Sequence, residues 1–214
     1  MHPPEPPTPP ARRTTVAIPV RALEGAKSRL GAVLDAEERR DLVEGLLRLA
    51  VDAARATPGV GDVVVVSPDP EVLAVAVAAG ATPLLQQSRG LNPALQEARE
   101  TAAGADRLLI LPGDLPTVTS ADLAAILTVG DGAGSPSVVL VPDRHRRGTN
   151  ALLLDPPEAI DPAFGGDSRA GHAWLAGSAD IPFVELAGIL ELDLDTPDDL
   201  LLAEAIRREG AHAG

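Results

Sequence analysis

At 214 residues, 45% hydrophobic and 23% charged, the chain has the size and balance of one globular domain with a real core. A formal net charge of −13 argues against nucleic acid or an anionic membrane surface as the main partner, while leaving room for a small anion that feels local charge. The absence of cysteine removes disulfides, thiolate metal sites and cysteine nucleophiles.

Residues 1–13 read as a proline-rich, disordered tail, and residues 14–210 as one domain. The first ten residues hold six prolines and no apolar signal segment. No apolar run nears the about 20 residues of a membrane span, so a cytoplasmic address is expected. Residues 16–20 form a short buried strand, followed by a loop of small and basic residues. From 36 to 56 Leu42, Leu46, Leu49 and Ala53 recur at helical spacing, and Pro58-Gly59 ends that helix. The β-branched run at 62–66 predicts a central strand covered on both faces. Ser67-Pro68-Asp69 opens a helix that stops at Gly80.

A strand at 82–85 and a helix at about 93–103 follow, with Asn92 expected as its N-cap. Next come a buried strand at 107–111 and a helix at 120–128. Strands at 137–141 and 151–154 flank a charged loop around Gly148. A short helix is expected at 168–176, and an alternating strand at 189–195. Thr196-Pro197-Asp198-Asp199 begins the last helix with a capping residue, a first-turn proline and acids. The alternation of strands and helices predicts an α/β sandwich with a mostly parallel sheet, mixed near Gly148.

Ligands of such sheets gather beyond the carboxyl ends of the strands, so the loops after Val20, Ser67, Leu111 and Asp195 carry the candidates. Neither familiar phosphate motif is present: no G-x-G-x-x-G follows the first strand, and Glu24-Gly25-Ala26-Lys27-Ser28 is not a P-loop. That loop nevertheless gathers Arg21, Lys27 and Arg29. Lys27 is the one lysine beside 17 arginines, and a compact ammonium fits between phosphate oxygens where a planar guanidinium does not. A solvated loop with ordinary salt bridges is the plain alternative. Asp114, in Gly113-Asp114-Leu115-Pro116, is either a turn former or a rigid ligand for a hard cation. Alternation sets Glu191, Asp193 and Asp195 on one face, either toward water or around a cation that relieves their repulsion. Asp198 and Asp199 are assigned to the helix N-terminus. The turns Arg147-Gly148-Thr149-Asn150 and Phe164-Gly165-Gly166-Asp167-Ser168 offer amides and hydroxyls to an anion. His172 reads more simply as a satisfied structural histidine than a catalytic one.

In combination these pieces resemble one family. Ile18-Pro19-Val20-Arg21 with Ala26-Lys27-Ser28-Arg29-Leu30, Gly90-Leu91-Asn92-Pro93, Gly113-Asp114-Leu115-Pro116, Gly148-Thr149-Asn150, Phe164-Gly165 through Ser168 with His172, and Asp193 through Leu200 are similar to the phosphoenolpyruvate (or 2-phospholactate) guanylyltransferases of coenzyme F-420 biosynthesis, in order, over about residues 16–201. The resemblance implies a Rossmann-like nucleotidyltransferase fold, a three-layer sandwich. It implies that phosphoenolpyruvate condenses with GTP to give enolpyruvoyl-2-diphospho-5'-guanosine and pyrophosphate, with 2-phospho-L-lactate or 3-phosphoglycerate as alternative acceptors. It places Mg²⁺ on Asp114, Asp193 and Asp195, with Lys27 and Asp114 central to catalysis. Thr149, Gly165 and Ser168 would hold phosphoenolpyruvate, and Arg21, Lys27 and Arg29 the triphosphate of GTP; Asn92, read from its position alone, is an N-cap that could equally offer its amide to the purine base of GTP. Arg21 replaces a lysine frequent in relatives, and Arg146-Arg147 before Gly148 make the mouth of the acceptor site more basic. Sugar or molybdopterin nucleotidyltransferases carry an L-x-G-G loop that is absent here, and a non-catalytic nucleotide binder remains the alternative of another class. The partners expected are small molecules, with neither nucleic acid nor membrane; oligomeric state is open, a homodimer included.

Overall fold

The computed structural model describes residues 12–23 and 27–212. Most of the expected tail (residues 1–11) and loop residues 24–26 lie outside them. The elements in chain order are β1 (Thr14–Pro19), α1 (Ala36–Arg55), β2 (Val60–Ser67), α2 (Pro70–Ala78), β3 (Thr82–Leu85), α3 (Leu91–Thr101) and β4 (Arg107–Ile110). There follow α4 (Ser120–Ala133), β5 (Ser137–Pro142), β6 (Thr149–Asp155), α5 (Ser168–Ser178), β7 (Phe183–Glu185) and α6 (Pro197–His212). The strands make a seven-stranded sheet in the order β3-β2-β1-β4-β6-β5-β7. β6 runs antiparallel to both neighbours, and every other pairing is parallel. The mixed character expected around Gly148 is therefore the β5–β6 hairpin.

The unbroken apolar runs in the strands follow from coverage on both faces. Val16, Ile18, Leu109, Val139 and Leu153 share one cluster with residues of α1, α2 and α4, whereas Ala17, Leu108, Ile110, Val138 and Leu152 share another with α3 and α5. Three layers result, as expected. α1 starts with a reciprocal capping box: Asp35 accepts from the Glu38 amide, and Glu38 accepts from the Asp35 amide. α4 uses the same device with Thr119 and Asp122. It runs past the expected stop at Thr128 to Ala133, and Gly130 within it is a packing residue. A Cβ there would lie 2.6 Å from Leu153 Cδ2, so the absent side chain lets helix and sheet approach.

Two expectations are corrected. Residues 189–195 are not a strand: Leu190 sits at φ 50°, and its neighbours' hydrogen bonds go to three separate places. The Arg144 amide donates to the Glu191 carbonyl at 2.9 Å, the Leu194 amide to the Asp114 carbonyl at 3.0 Å, and Asn150 Nδ2 to the Leu190 carbonyl at 2.8 Å. The alternation is real, since Leu190, Leu192 and Leu194 are buried, but it reports facing rather than pairing. The edge strand is instead the three-residue β7 beside β5. Secondly, the chain is anchored before residue 14. Arg12 pairs with the buried Asp155 carboxylate, and the Arg13 amide donates to Asp106 Oδ2 at 2.7 Å. No helix among the described residues is long and apolar enough to cross a membrane.

Candidate active site

β1 and β4 are adjacent and parallel, so the loops after Pro19 and Ile110 leave the sheet on the same side. The first carries Arg21, Lys27 and Arg29, and the second carries Asp114. The irregular segment before α6 is tied to the second loop by the Leu194–Asp114 hydrogen bond, which delivers Asp193 and Asp195. Lys27 adopts left-handed backbone angles and precedes a single 3₁₀ turn, Ser28–Ala32, whose Leu30 is fully buried. With that anchor in place, Lys27 Nζ donates to Asp114 Oδ2 at 2.9 Å and to Asp195 Oδ1 at 2.8 Å. Arg29 reaches Asp195 at 3.7 Å from a solvent-exposed position.

These groups face a cavity of about 740 Å³ lined by Arg21, Lys27, Arg29, Leu91, Asp114 and Asp195 among others. That volume lies in the range of small-molecule sites. Burial alone would lower the Lys27 pKa, but the adjacent Asp114 and Asp195 carboxylates outweigh it and hold the ammonium above its ordinary range. Asp193 shifts upward, first because it is buried and then because Asp114, Asp195 and Asp143 lie near, with a backbone hydrogen bond opposing. Carboxylates thus outnumber the cations that touch them, an imbalance that a divalent cation relieves.

The carboxylates test that fit. Among the described residues no three acidic or histidine side chains are grouped as a ready metal cage. The three-ligand set of Asp114, Asp193 and Asp195 is therefore not preassembled. Asp114 and Asp195 converge on one point, the Lys27 nitrogen, while Asp193 is linked to them through its charge. A hard cation commonly takes one or two carboxylates and completes its shell with substrate phosphates, and this pair fits that pattern.

Asp199 does more than the helix-terminal work expected of it. Its Oδ2 accepts from the amides of Asp195 (3.0 Å) and Thr196 (2.7 Å) and from the Thr196 hydroxyl (2.9 Å). Arg144, from the β5–β6 hairpin, pairs with the same carboxylate. Asp195 is thereby held from its own backbone. Asp69 plays a parallel part opposite, its Oδ2 accepting from the Leu23 amide at 2.9 Å. The Leu23–Asp69 and Arg144–Asp199 contacts are long-range, and composition around the acids gave no sign of them.

A second cluster joins β6 and α5. Thr149 Oγ1 and Ser168 Oγ are 2.9 Å apart, and Thr149 Oγ1 is 3.1 Å from His172 Nδ1. Gly165 lies at φ 140° and its carbonyl accepts from the Ser168 amide at 3.3 Å. All three residues expected to hold the acceptor are thus brought together. Phe164 connects them to the cavity, which it lines, and its ring meets the His172 ring edge-on with centroids 5.0 Å apart.

Asn92 is a correction. Gly90 occupies the cap of α3 and Asn92 lies inside the helix. Its amide nitrogen donates to the Phe164 carbonyl at 3.0 Å, and its oxygen accepts from the Phe164 amide at 2.8 Å. The side chain therefore clamps the Phe164 turn with one of its two N–H donors and one oxygen lone pair. The basic mouth is also altered: Arg146 and Arg169 both pair with Glu185, Arg147 with Asp167, and Arg144 with Asp199. The entrance is balanced by acids rather than basic.

His172 is fully buried, which pushes its pKa down from 6.5 to about 4. Between those values the unfolded chain binds a proton that the native state does not. Stability is therefore present above pH 6.5 and lost as pH falls through that window, on the order of 3 kcal/mol by its lower end. Urea midpoints measured from pH 7 to pH 4.5 should fall more steeply for the wild type than for His172→Gln. Parallel profiles would contradict the buried, neutral imidazole.

The family described as "Guanylyl transferase CofC like" matches residues 14–212. A phosphoenolpyruvate guanylyltransferase of Sphaerobacter thermophilus is 47% identical over 191 residues, covering 87% of this chain and 91% of the relative. One from Rubrobacter xylanophilus is 47% identical, covering 88% and 92%. Among solved structures, a nucleotidyl transferase from Methanothermobacter superposes with a TM-score of 0.66 at 18% identity, covering 92% of this chain and 99% of the other. A 4-diphosphocytidyl-2C-methyl-D-erythritol synthase from Anaerococcus prevotii gives 0.65 at 8% identity, covering 92% and 97%. Identities this low carry the fold alone, which is that of Rossmann-like nucleotidyltransferases.

Proposed function

Because the chain belongs to the CofC-like guanylyl transferase family, we propose that it condenses phosphoenolpyruvate with GTP, releasing pyrophosphate, in the biosynthesis of coenzyme F-420. The observation that carries this reading is the Lys27 ammonium gripped between Asp114 and Asp195 at the rim of the cavity. A triphosphate is held by such a fixed cation, and carboxylates such as these would hold a divalent cation beside it.

An oxygen of the acceptor's phosphate attacks the α-phosphorus of GTP. The new P–O–P bond forms as the bond to the β-phosphate oxygen breaks, and pyrophosphate leaves with the electron pair. The attacking phosphate is mostly dianionic near neutral pH, so no general base is required. This accords with a site whose one histidine is buried and neutral. Lys27 holds the triphosphate at the attacked phosphorus, with Arg21 and Arg29 on the cavity wall steadying its outer charge. Thr149, Ser168 and the backbone at Gly165 orient the acceptor. Asp114 and Asp195 would hold a divalent cation, with Mg²⁺ the natural choice for oxygen ligands, and Asp193 would support it; that ion would offset charge gathering on the triphosphate oxygens. Catalysis is then mostly positioning and charge neutralisation.

The test is pyrophosphate release with GTP, Mg²⁺ and one acceptor at a time: phosphoenolpyruvate, 2-phospho-L-lactate or 3-phosphoglycerate. Release is expected with phosphoenolpyruvate and at background with GTP alone. GTP binding without release under any acceptor would replace the enzyme with a nucleotide-binding protein.

A further inference from the structure

We propose that His172 is a positioning residue: its fixed tautomer leaves the Thr149–Ser168 hydroxyl pair one O–H that no group among the described residues consumes, aimed at an anionic oxygen of the acceptor. This rests on the reading of the site given above and adds to it a specific source of acceptor recognition.

The argument is a count of protons. His172 Nε2 lies 2.9 Å from the Ala163 backbone nitrogen, which can only donate. Nε2 therefore accepts and carries no hydrogen. The ring is buried and neutral, so its single N–H is on Nδ1. Nδ1 lies 3.1 Å from Thr149 Oγ1 and donates to it. Thr149 and Ser168 bring two hydroxyl protons and share one hydrogen bond, at 2.9 Å. One proton is used between them, and one remains. Were the imidazole in the other tautomer, Nδ1 would accept, and the spare proton would be spent on the histidine.

The surroundings favour an anion as the taker of that proton. Both hydroxyls are buried, at 6% and 3% exposure, so water does not compete freely for them. Ser168 is the first residue of α5, where helix amides face outward and negative charge is favoured. The nearby arginines are engaged with Glu185, Asp167 and Asp199, so neutral donors carry more of the recognition than a basic mouth would leave them. Phe164 closes the chain of contacts: Asn92 fixes its backbone on one side, and its ring seats the imidazole on the other.

Two measurements decide the matter. Long-range proton–nitrogen-15 correlation on the wild-type protein should place the His172 proton on Nδ1 from pH 6 to 8, with and without acceptor. A proton on Nε2 would overturn the proposal, whatever the enzyme's activity. Then KM for acceptor and for GTP is compared across wild type, His172→Phe, Thr149→Val and the double variant. Because a pinned hydrogen bond contributes about 1 kcal/mol, His172→Phe should raise the acceptor KM about five- to tenfold and leave the GTP KM alone. In the Thr149→Val background the same change should add nothing, since His172 acts through that hydroxyl. Additive effects, or equal rises in both KM values, would mean that His172 merely packs. A wild type inert toward every acceptor would refute the proposed reaction instead, and the nitrogen spectrum would still decide the tautomer.

Discussion

Asp114→Asn should lower kcat by about 10³-fold or more while leaving the protein folded. The carboxylate is partly exposed and held at the end of β4, so the amide fits the same space and little packing changes. What disappears is one of two carboxylates that meet at the Lys27 nitrogen. An amide oxygen is a poorer partner for both an ammonium and a hard cation, and the loss acts where the triphosphate changes charge. Stability should move by no more than about 1 kcal/mol, as expected for a partly solvated pair. Pyrophosphate release by the purified variant, alongside its urea midpoint, checks both halves. Wild-type-like release would remove Asp114 from the chemistry, and gross unfolding would make its role structural.

The second large effect is expected at Lys27. Lys27→Met should reduce kcat/KM for GTP by about 10²- to 10³-fold, the range seen when one preorganised charge stabiliser is lost. Lys27→Arg should recover little, because the ammonium makes both bonds from a single atom, whereas a guanidinium spreads its charge over a planar fork. The side chain is only 11% exposed, which leaves little room for the larger head. Its raised pKa gives this prediction a sign in pH: the lysine stays protonated through neutrality, so no lysine limb appears in the activity profile below about pH 10. Steady-state kinetics of both variants tests this; full activity in Lys27→Arg would mean that any cation suffices.

Much of the frame was legible because sequence periodicity reports burial. Continuous β-branched runs such as 62–66 reflect a sheet covered on both faces, and that is where the strands lie. The misreading of residues 189–195 has the same root. Leu190, Leu192 and Leu194 face inward as their alternation says, yet alternation holds for any extended segment against a core, and one left-handed residue suffices to prevent a ladder. β7 went unseen since three residues carry too little pattern. At the site, Lys27 and Asp114 could be picked out as residue types in loops that follow strands, Thr149 and Ser168 in glycine-containing turns, and Asp195 from an alternation that proves not to be a strand. Their supports could not. Asn92 has the preferences of a cap but belongs to Phe164, 72 positions away. The arginines of the hairpin, Arg144 and Arg146, meet partners far along the chain. Such pairings are set by the tertiary fold and leave no local trace.

In the proposed reaction the acceptor's own phosphate oxygen becomes the bridge to the guanylyl phosphorus. Phosphoenolpyruvate labelled with oxygen-18 in its phosphate, incubated with GTP, Mg²⁺ and the wild-type protein, tests this in one phosphorus-31 spectrum. The guanylyl phosphorus is expected to gain one labelled neighbour while the released pyrophosphate carries none. Label in the pyrophosphate, or a guanylyl phosphorus that emerges as unlabelled GMP, would contradict it.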